Sequence, residues 1–332
     1  MKKYNILLIL SVVLLLNMAC SNPSVEKMAV IIDSDANNEL DDQHALAYLF
    51  LNGKTFTVPG VTVNATYNGG DIEGHRLEAE RVMRLCNVYN SIPLLKGANA
   101  DFEEILPNIG NEVFDGSDAV NFIIQEANKP RKEKLVLLPI GKLTNIALAL
   151  AKDPSIAQKV KIVWLGSNYP ERGEYNKEND VPSMNYVLSL DVPFEMVTVR
   201  YGKTSGTGFV SVTKEEVLEE MPGIGPKSEP VEGRHGGMFT CFGDYSVDLF
   251  SHCDFYGNPP HRSLFDMAAV AILKNPAFAQ KIEIPCPKLI ETGWEEQPEN
   301  KRMITVWENF DRGAIMADFY ASMKDFQLVN SK

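Results

Sequence analysis

The chain has 332 residues, enough for one large α/β domain or two ordinary ones. Its formal net charge of −12 and pI near 5.0 are relieved by no basic run, which argues against a nucleic-acid backbone as partner and disfavours phosphorylated ligands. Neutral or cationic small molecules fit such a chain better.

Lys2-Lys3, an apolar run over residues 6–16 and the pair Ala19-Cys20 read as an export signal at residues 1–20. The run is shorter than the roughly 20 residues that a membrane span requires. Ala19-Cys20 looks like the lipobox of bacterial lipoproteins, whose cysteine carries the lipid, although Asn17 stands at the usual leucine position. Simple secretion is the alternative. Residues 21–26 form the expected tether, and one folded domain is expected over 27–330. The expected location is the periplasm or the outer membrane of a bacterium, touching the membrane only through the lipid anchor. Past Cys20 the cysteines are Cys86, Cys241, Cys253 and Cys286, without the tight spacing of a disulfide framework. The spacing of Cys241, His252 and Cys253 matches no zinc pattern.

Apolar runs bounded by turn residues predict strands over 29–32, 56–63, 92–95, 135–140, 160–165, 194–199 and 282–284. Periodic stretches between them predict helices over 41–51, 72–86, 117–127, 143–151, 183–190 and 263–273. The alternation argues for βαβ units: a single Rossmann-like α/β domain with a mostly parallel central sheet flanked by helices. The polar, turn-rich segments 168–181, 204–208 and 221–237 are the expected long loops, and loops of that length in a compact domain are often functional.

Acidic residues gather where the first strand ends. Asp33 and Asp35 are followed by Glu39 and the doublet Asp41-Asp42, which opens a helix, and Asp266 lies far away in an apolar stretch. Helix capping and the helix dipole explain one or two of these acids. They leave the rest unexplained. Carboxylates at the carboxyl end of a strand sit where open α/β sheets bind ligands, and several ionised ones together repel unless a cation joins them. An all-oxygen donor set suits Ca²⁺ or Mg²⁺. The residues thus point to a metal site that handles a polyol. Two other readings of motifs are weaker. The Asp33-Ser34-Asp35 pattern looks like that of dehalogenase-type phosphatases, but Asn37 stands where those have Thr or Val. Gly202-Lys203-Thr204 lacks the earlier glycine of a phosphate-binding loop, Val197 being there.

Four islands together resemble the inosine-uridine preferring nucleoside hydrolases. The family's Asp-x-Asp-Pro-Gly-x-Asp-Asp appears as residues 33–42, two residues longer before the doublet; Gly-Pro-Leu-Thr-Asn-Ile-Ala appears as Gly141-Lys142-Leu143-Thr144-Asn145-Ile146-Ala147. His-Asp-Pro-Leu-Ala-Val-Ala looks like Phe265-Asp266-Met267-Ala268-Ala269-Val270-Ala271, and Glu-Phe-Asn looks like Ser183-Met184-Asn185. The resemblance implies a Ca²⁺-dependent hydrolase that splits the N-glycosidic bond of a ribonucleoside or related N-riboside. Ca²⁺ would be held by Asp35, Asp42, the Thr144 carbonyl and Asp266. Asp41 and Asn185 would bind the sugar, Asn68 falls roughly where the family has another sugar-binding Asn, and Asp33 would fix the loop from behind. Homo-oligomers are common in the family.

Such a cation can grip two ribose hydroxyls and lower the pKa of a neighbouring water, with Asp35 as general base, while the acids favour the cationic sugar of the transition state. The leaving base also needs a proton donor. Phe265 stands where many members of the family carry a His, so His261 becomes the candidate, with His252, Tyr256 and His235 in flanking segments and His44 a further side chain for the site wall. A second reading follows from Phe265: a lipid-anchored protein that captures a nucleoside or ribose and does no chemistry.

Overall fold

The structure, a computed structural model, describes residues 26–331, so the expected signal at 1–20 and almost all of the tether lie outside the described residues. Among the described residues nine strands form one sheet: β1 (Met28–Ser34), β2 (Phe56–Thr57), β3 (Val61–Val63), β4 (Leu94–Lys96), β5 (Leu135–Pro139), β6 (Val160–Leu165), β7 (Phe194–Val197), β8 (Gln280–Pro285) and β9 (Met303–Glu308). Their order is β8-β9-β7-β6-β5-β1-β3-β4, with β2 also on β1, and every pairing is parallel except β8 with β9. The predicted run 56–63 is two strands. Pro59, which has no N–H for the ladder, separates the part that pairs with the start of β1 from the part that pairs with its end.

The two-residue period of β1 divides the core. Val30 and Ile32 pack on one face and Ile31 on the other; in β5, Val136 and Leu138 oppose Leu135 and Leu137. Helices Asp41–Phe50, Ile72–Leu85, Phe242–Ser251, Met267–Lys274 and Arg312–Lys324 contribute to the first face. Helices Ser117–Ala127, Thr144–Lys152 and Val181–Ser189 contribute to the second. Such double coverage is what a parallel sheet with near-continuous apolar strands requires. No helix among the described residues is long and apolar enough to cross a membrane.

The connectivity fixes where a ligand belongs. From β1 the chain adds β3 and β4 on one side, then returns to add β5, β6 and β7 on the other. The carboxyl end of β1 is therefore the switch point of the sheet, where the connections diverge and leave a crevice.

Candidate active site

A cavity of about 370 Å³ opens at that crevice. Its floor is laid by residues at or just beyond the carboxyl ends of four adjacent strands: Asp35 after β1, Ile140 after β5, Leu165 ending β6 and Val199 after β7. Asp41, Asp42 and Asp266 also line it. Asp266, more than two hundred residues away in the chain, immediately precedes the helix Met267–Lys274 rather than lying within it as predicted. Carboxylate oxygens of Asp41, Asp42 and Asp266 lie within 4.8 Å of one another. Asp35 shares the cavity but is not in that closest group; its Oδ2 accepts a hydrogen bond of 2.6 Å from the Thr66 hydroxyl.

These carboxyls are only 1 % (Asp35), 7 % (Asp41), 2 % (Asp42) and 3 % (Asp266) exposed. Burial pushes Asp35 and Asp41 up to about 7, against an ordinary 3.8, and the neighbouring acids add to the shift. Burial first, then repulsion from the other acids, also raises Asp42 and Asp266 well above that value. Arg262 eases Asp41, but its guanidinium is paired with Glu39. Four buried acids with so little cationic compensation fit a hard cation. Two more oxygens support that fit: Asn38 Oδ1 and Asn64 Oδ1 are buried without a hydrogen-bond partner.

The acid loop is fixed from several sides. Behind the cavity Asp33 accepts hydrogen bonds from Thr62 Oγ1 (2.5 Å), Asn64 Nδ2 (2.9 Å) and Asn145 Nδ2 (2.7 Å), which ties β1 to β3 and to the helix Thr144–Lys152. Burial still raises Asp33 to about 6, these bonds opposing it. Arg234 donates to the carbonyls of Glu39 (2.9 Å) and Asn37 (3.1 Å), and the Asn37 N–H donates to His75 Nδ1 at 3.2 Å. Gly141 permits the closest approach: a Cβ there would fall 2.7 Å from Asp35 Oδ1 and 2.8 Å from Asn64 Oδ1.

Several predicted site residues lie elsewhere. Thr144 is buried outside the cavity with its hydroxyl on Asp180. As the first residue of its helix, it directs its carbonyl along the helix axis. The cavity residue of that segment is Ile140. Asn185 is exposed and lines a separate cavity with Arg172 and Lys177. Asn68 is exposed outside the acidic cavity, and its N–H donates to the Tyr175 hydroxyl at 2.9 Å. His261 lines a neighbouring cavity, and its Nδ1 stands 3.0 Å from the Pro259 carbonyl.

His44 points into the core rather than the site. Its ring nitrogens meet the Leu40 carbonyl at 2.6 Å and Ser246 Oγ at 2.7 Å, and its edge packs on Phe242 and Phe250. Burial lowers its pKa to about 4, so the ring is neutral. His44→Ala is expected to cost about 2–4 kcal/mol of stability, measured by urea unfolding, because it leaves a cavity and an unpaired carbonyl and hydroxyl.

The sequence reading missed Glu174, Tyr175 and Asn176, all of which line the cavity. They lie in the predicted loop 168–181, part of which forms the short helix Tyr175–Asn179. Glu174 accepts from the backbone N–H groups of Ser167 (2.6 Å), Asn176 (2.9 Å) and Lys177 (2.9 Å). Asn176 Nδ2 donates to the carbonyls of Ile140 (2.8 Å) and Leu165 (3.1 Å), bracing two strand ends of the floor. The signal was in the sequence: Glu-Tyr-Asn differs from Glu-Phe-Asn by one hydroxyl, whereas Ser183-Met184-Asn185 shares only the Asn. The cavity is also lined by Tyr201, Tyr256, Arg262 and Phe265, with Phe265 edge-to-face on Tyr201 at 5.7 Å.

Comparison with known proteins agrees with this architecture. A protein of Schizosaccharomyces pombe described as uncharacterized is 30% identical over 134 residues, 38% of this chain and 43% of that protein. The pyrimidine-specific ribonucleoside hydrolase RihB of Shigella flexneri is 26% identical over 144 residues, 43% of this chain and 42% of that protein. The matched segments thus span less than half the length of either relative. Among solved structures, a plant nucleoside hydrolase superposes with a TM-score of 0.68 at 19% identity, covering 90% of this chain and 99% of its own. The inosine-uridine preferring nucleoside hydrolase of Bacillus anthracis superposes with a TM-score of 0.64 at 17% identity, with the same coverage. The sequence pattern of one family runs through residues 30–328, and the chain belongs to that family, the inosine-uridine preferring nucleoside hydrolases.

Proposed function

We propose that this protein is a Ca²⁺-dependent hydrolase that cleaves the N-glycosidic bond of a ribonucleoside or related N-riboside, releasing free base and ribose. The observation that carries the reading is the convergence of Asp35, Asp41, Asp42 and Asp266 in one buried cavity at the switch point of the sheet. Family membership and a relative named as a ribonucleoside hydrolase support the substrate class.

Asp42 and Asp266 would hold the cation, with Asp35 and Asp41 beside it, and a backbone donor from the 140s segment would come from Ile140 rather than Thr144. When bound, such a cation grips a vicinal diol and polarises a nearby water. Asp35, raised toward neutrality by burial, takes the proton of that water as its oxygen bonds to the anomeric carbon and the C–N bond breaks. The surrounding carboxylates favour the positive charge that develops on the sugar. Asp41 is positioned for a ribose hydroxyl. The base leaves with the electron pair of the C–N bond toward Tyr201, Tyr256, Arg262 and Phe265, where the two tyrosine hydroxyls and the Arg262 Nε–H, buried without a partner, can donate hydrogen bonds to it, and it takes up its proton from solvent. His261, in the neighbouring cavity, is not needed for this step.

Phe265 favours the second reading, a capture protein without chemistry. A nucleoside panel assayed for reducing sugar separates the two, run after chelation and again with Ca²⁺ restored. Sugar released only with Ca²⁺ is the expected result. Calorimetric binding without release would favour capture. We read the protein as exported and anchored through Cys20, with ribosides outside the cytoplasm as its substrates.

A further inference from the structure

A second cluster of ligand-type side chains lies outside the acidic cavity, and its donors are different. His235, in the loop before the helix Phe242–Ser251, meets Asp248 on that helix and His252 at its C-cap; one ligand atom from each lies within 4.8 Å of the others. His235 Nδ1 stands 3.3 Å and His252 Nδ1 stands 3.5 Å from Asp248 carboxylate oxygens, and an ion at His252 Nδ1 would replace that nitrogen's contacts with the Asp248 carbonyl at 2.8 Å and Ser251 Oγ at 3.1 Å. The two carboxylate separations are long for hydrogen bonds. They match the separation of roughly 3.3 Å between two ligand atoms held at about 2.0–2.1 Å by one tetrahedral ion.

We propose that His235, Asp248 and His252 form a binding site for a borderline transition-metal dication, Zn²⁺ or a similar ion. Two imidazoles and one carboxylate suit such a metal, whereas the all-oxygen cavity suits Ca²⁺. The two rings are stacked, their centroids 4.1 Å apart. Burial, with Asp248 opposing it, lowers His235 toward the neutral ring that ligates metals. The carbonyl end of the ten-residue helix that His252 caps adds a negative pole. A cavity of about 280 Å³ over His235 and His252 gives an ion and its waters access, with Glu39, Cys253 and Asp254 also in its wall. Arg234 and Arg262 are the opposing charges in that wall; the first guanidinium is committed to the Asn37 and Glu39 carbonyls of the acid loop and the second is paired with Glu39. Linear spacing does not announce this site, because His235 comes from a loop that folds back over the helix.

The test is calorimetric titration of the full, tag-free chain with Zn²⁺ while Ca²⁺ saturates the acidic cavity, with Co²⁺ as an optical probe. One equivalent of Zn²⁺ is expected for the parent and for His261→Ala. That equivalent, and the Co²⁺ visible bands, are expected to be lost in His235→Ala and in His252→Ala. Both altered side chains are outside the core, so the thermal midpoint without Zn²⁺ serves as the folding control. No Zn²⁺ uptake by the parent, or unchanged uptake in both variants, would overturn the proposal.

Discussion

Asp35→Ala will lower sugar release from a ribonucleoside by at least about 10³-fold, the scale of a lost general base at a metal-assisted hydrolysis. Asp35 shares the acidic cavity with the proposed cation ligands but stands slightly apart from their closest group, the arrangement a base needs if it is to accept a proton rather than serve only as a ligand. Its carboxyl is buried and raised to about 7, so it accepts a proton near neutrality more readily than an ordinary Asp. Removing it also relieves repulsion among the acids, and the variant is expected to fold at least as stably as the parent. Asp35→Asn keeps the shape and the Thr66 contact, and separates loss of the base from loss of packing. Calorimetry with Ca²⁺ shows whether the ion still binds. Turnover within about tenfold of the parent in both variants would remove Asp35 from the mechanism.

The second large effect is on stability. In a chelator, the protein will melt at a lower temperature near pH 8 than near pH 5.5, and Ca²⁺ will reduce or reverse that difference. Asp35 and Asp41 rise from 3.8 when unfolded to about 7 when folded, and Asp42 and Asp266 move the same way. Between those limits the folded chain binds more protons than the unfolded one, so stability is present at low pH and is lost as pH rises through the folded values. Each carboxyl still protonated in the fold contributes a slope of up to about 1.4 kcal/mol per pH unit. His44, lowered to about 4, works in the opposite direction below its unfolded value of 6.5, as do His75 and His235, while Asp33, raised to about 6, and Glu174 add to the four acids. A cation needs the ionised acids, so its stabilisation grows with pH and by mass action. Scanning calorimetry in chelator and in Ca²⁺ at both pH values measures this. A chelated protein equally stable at both would mean the acids are neutralised by something else.

Much of the fold was legible because it follows from periodicity. The apolar strands of a doubly covered sheet stand out as short unbroken runs, and the strand-ending acids marked the switch point. Asp33, Asp35, Asp41, Asp42 and Asp266 stood out because apolar surroundings accept carboxylates only for a reason. What escaped depended on side-chain direction or on loop geometry. His44 was assigned to the site wall because it follows the acidic doublet by two residues, but a helix turns about 200° over two residues and sends that ring into the core. Thr144 stood in the right motif but one turn too far along, where the backbone is already helical. The Glu-x-Asn element was sought on a periodic helix, whereas Glu174 lies in an irregular loop, with a φ of +118°, held by three backbone donors.

The placement of β1 has a consequence for biogenesis. Because the central strand is synthesised first and the residue that completes its acidic cavity comes from position 266, a nascent chain carries the doublet and its partners long before the last carboxylate leaves the ribosome. Until then the half-built pocket holds like charges with too few donors for the proposed ion, so metal loading would wait for the helix Met267–Lys274 to bring Asp266 into place.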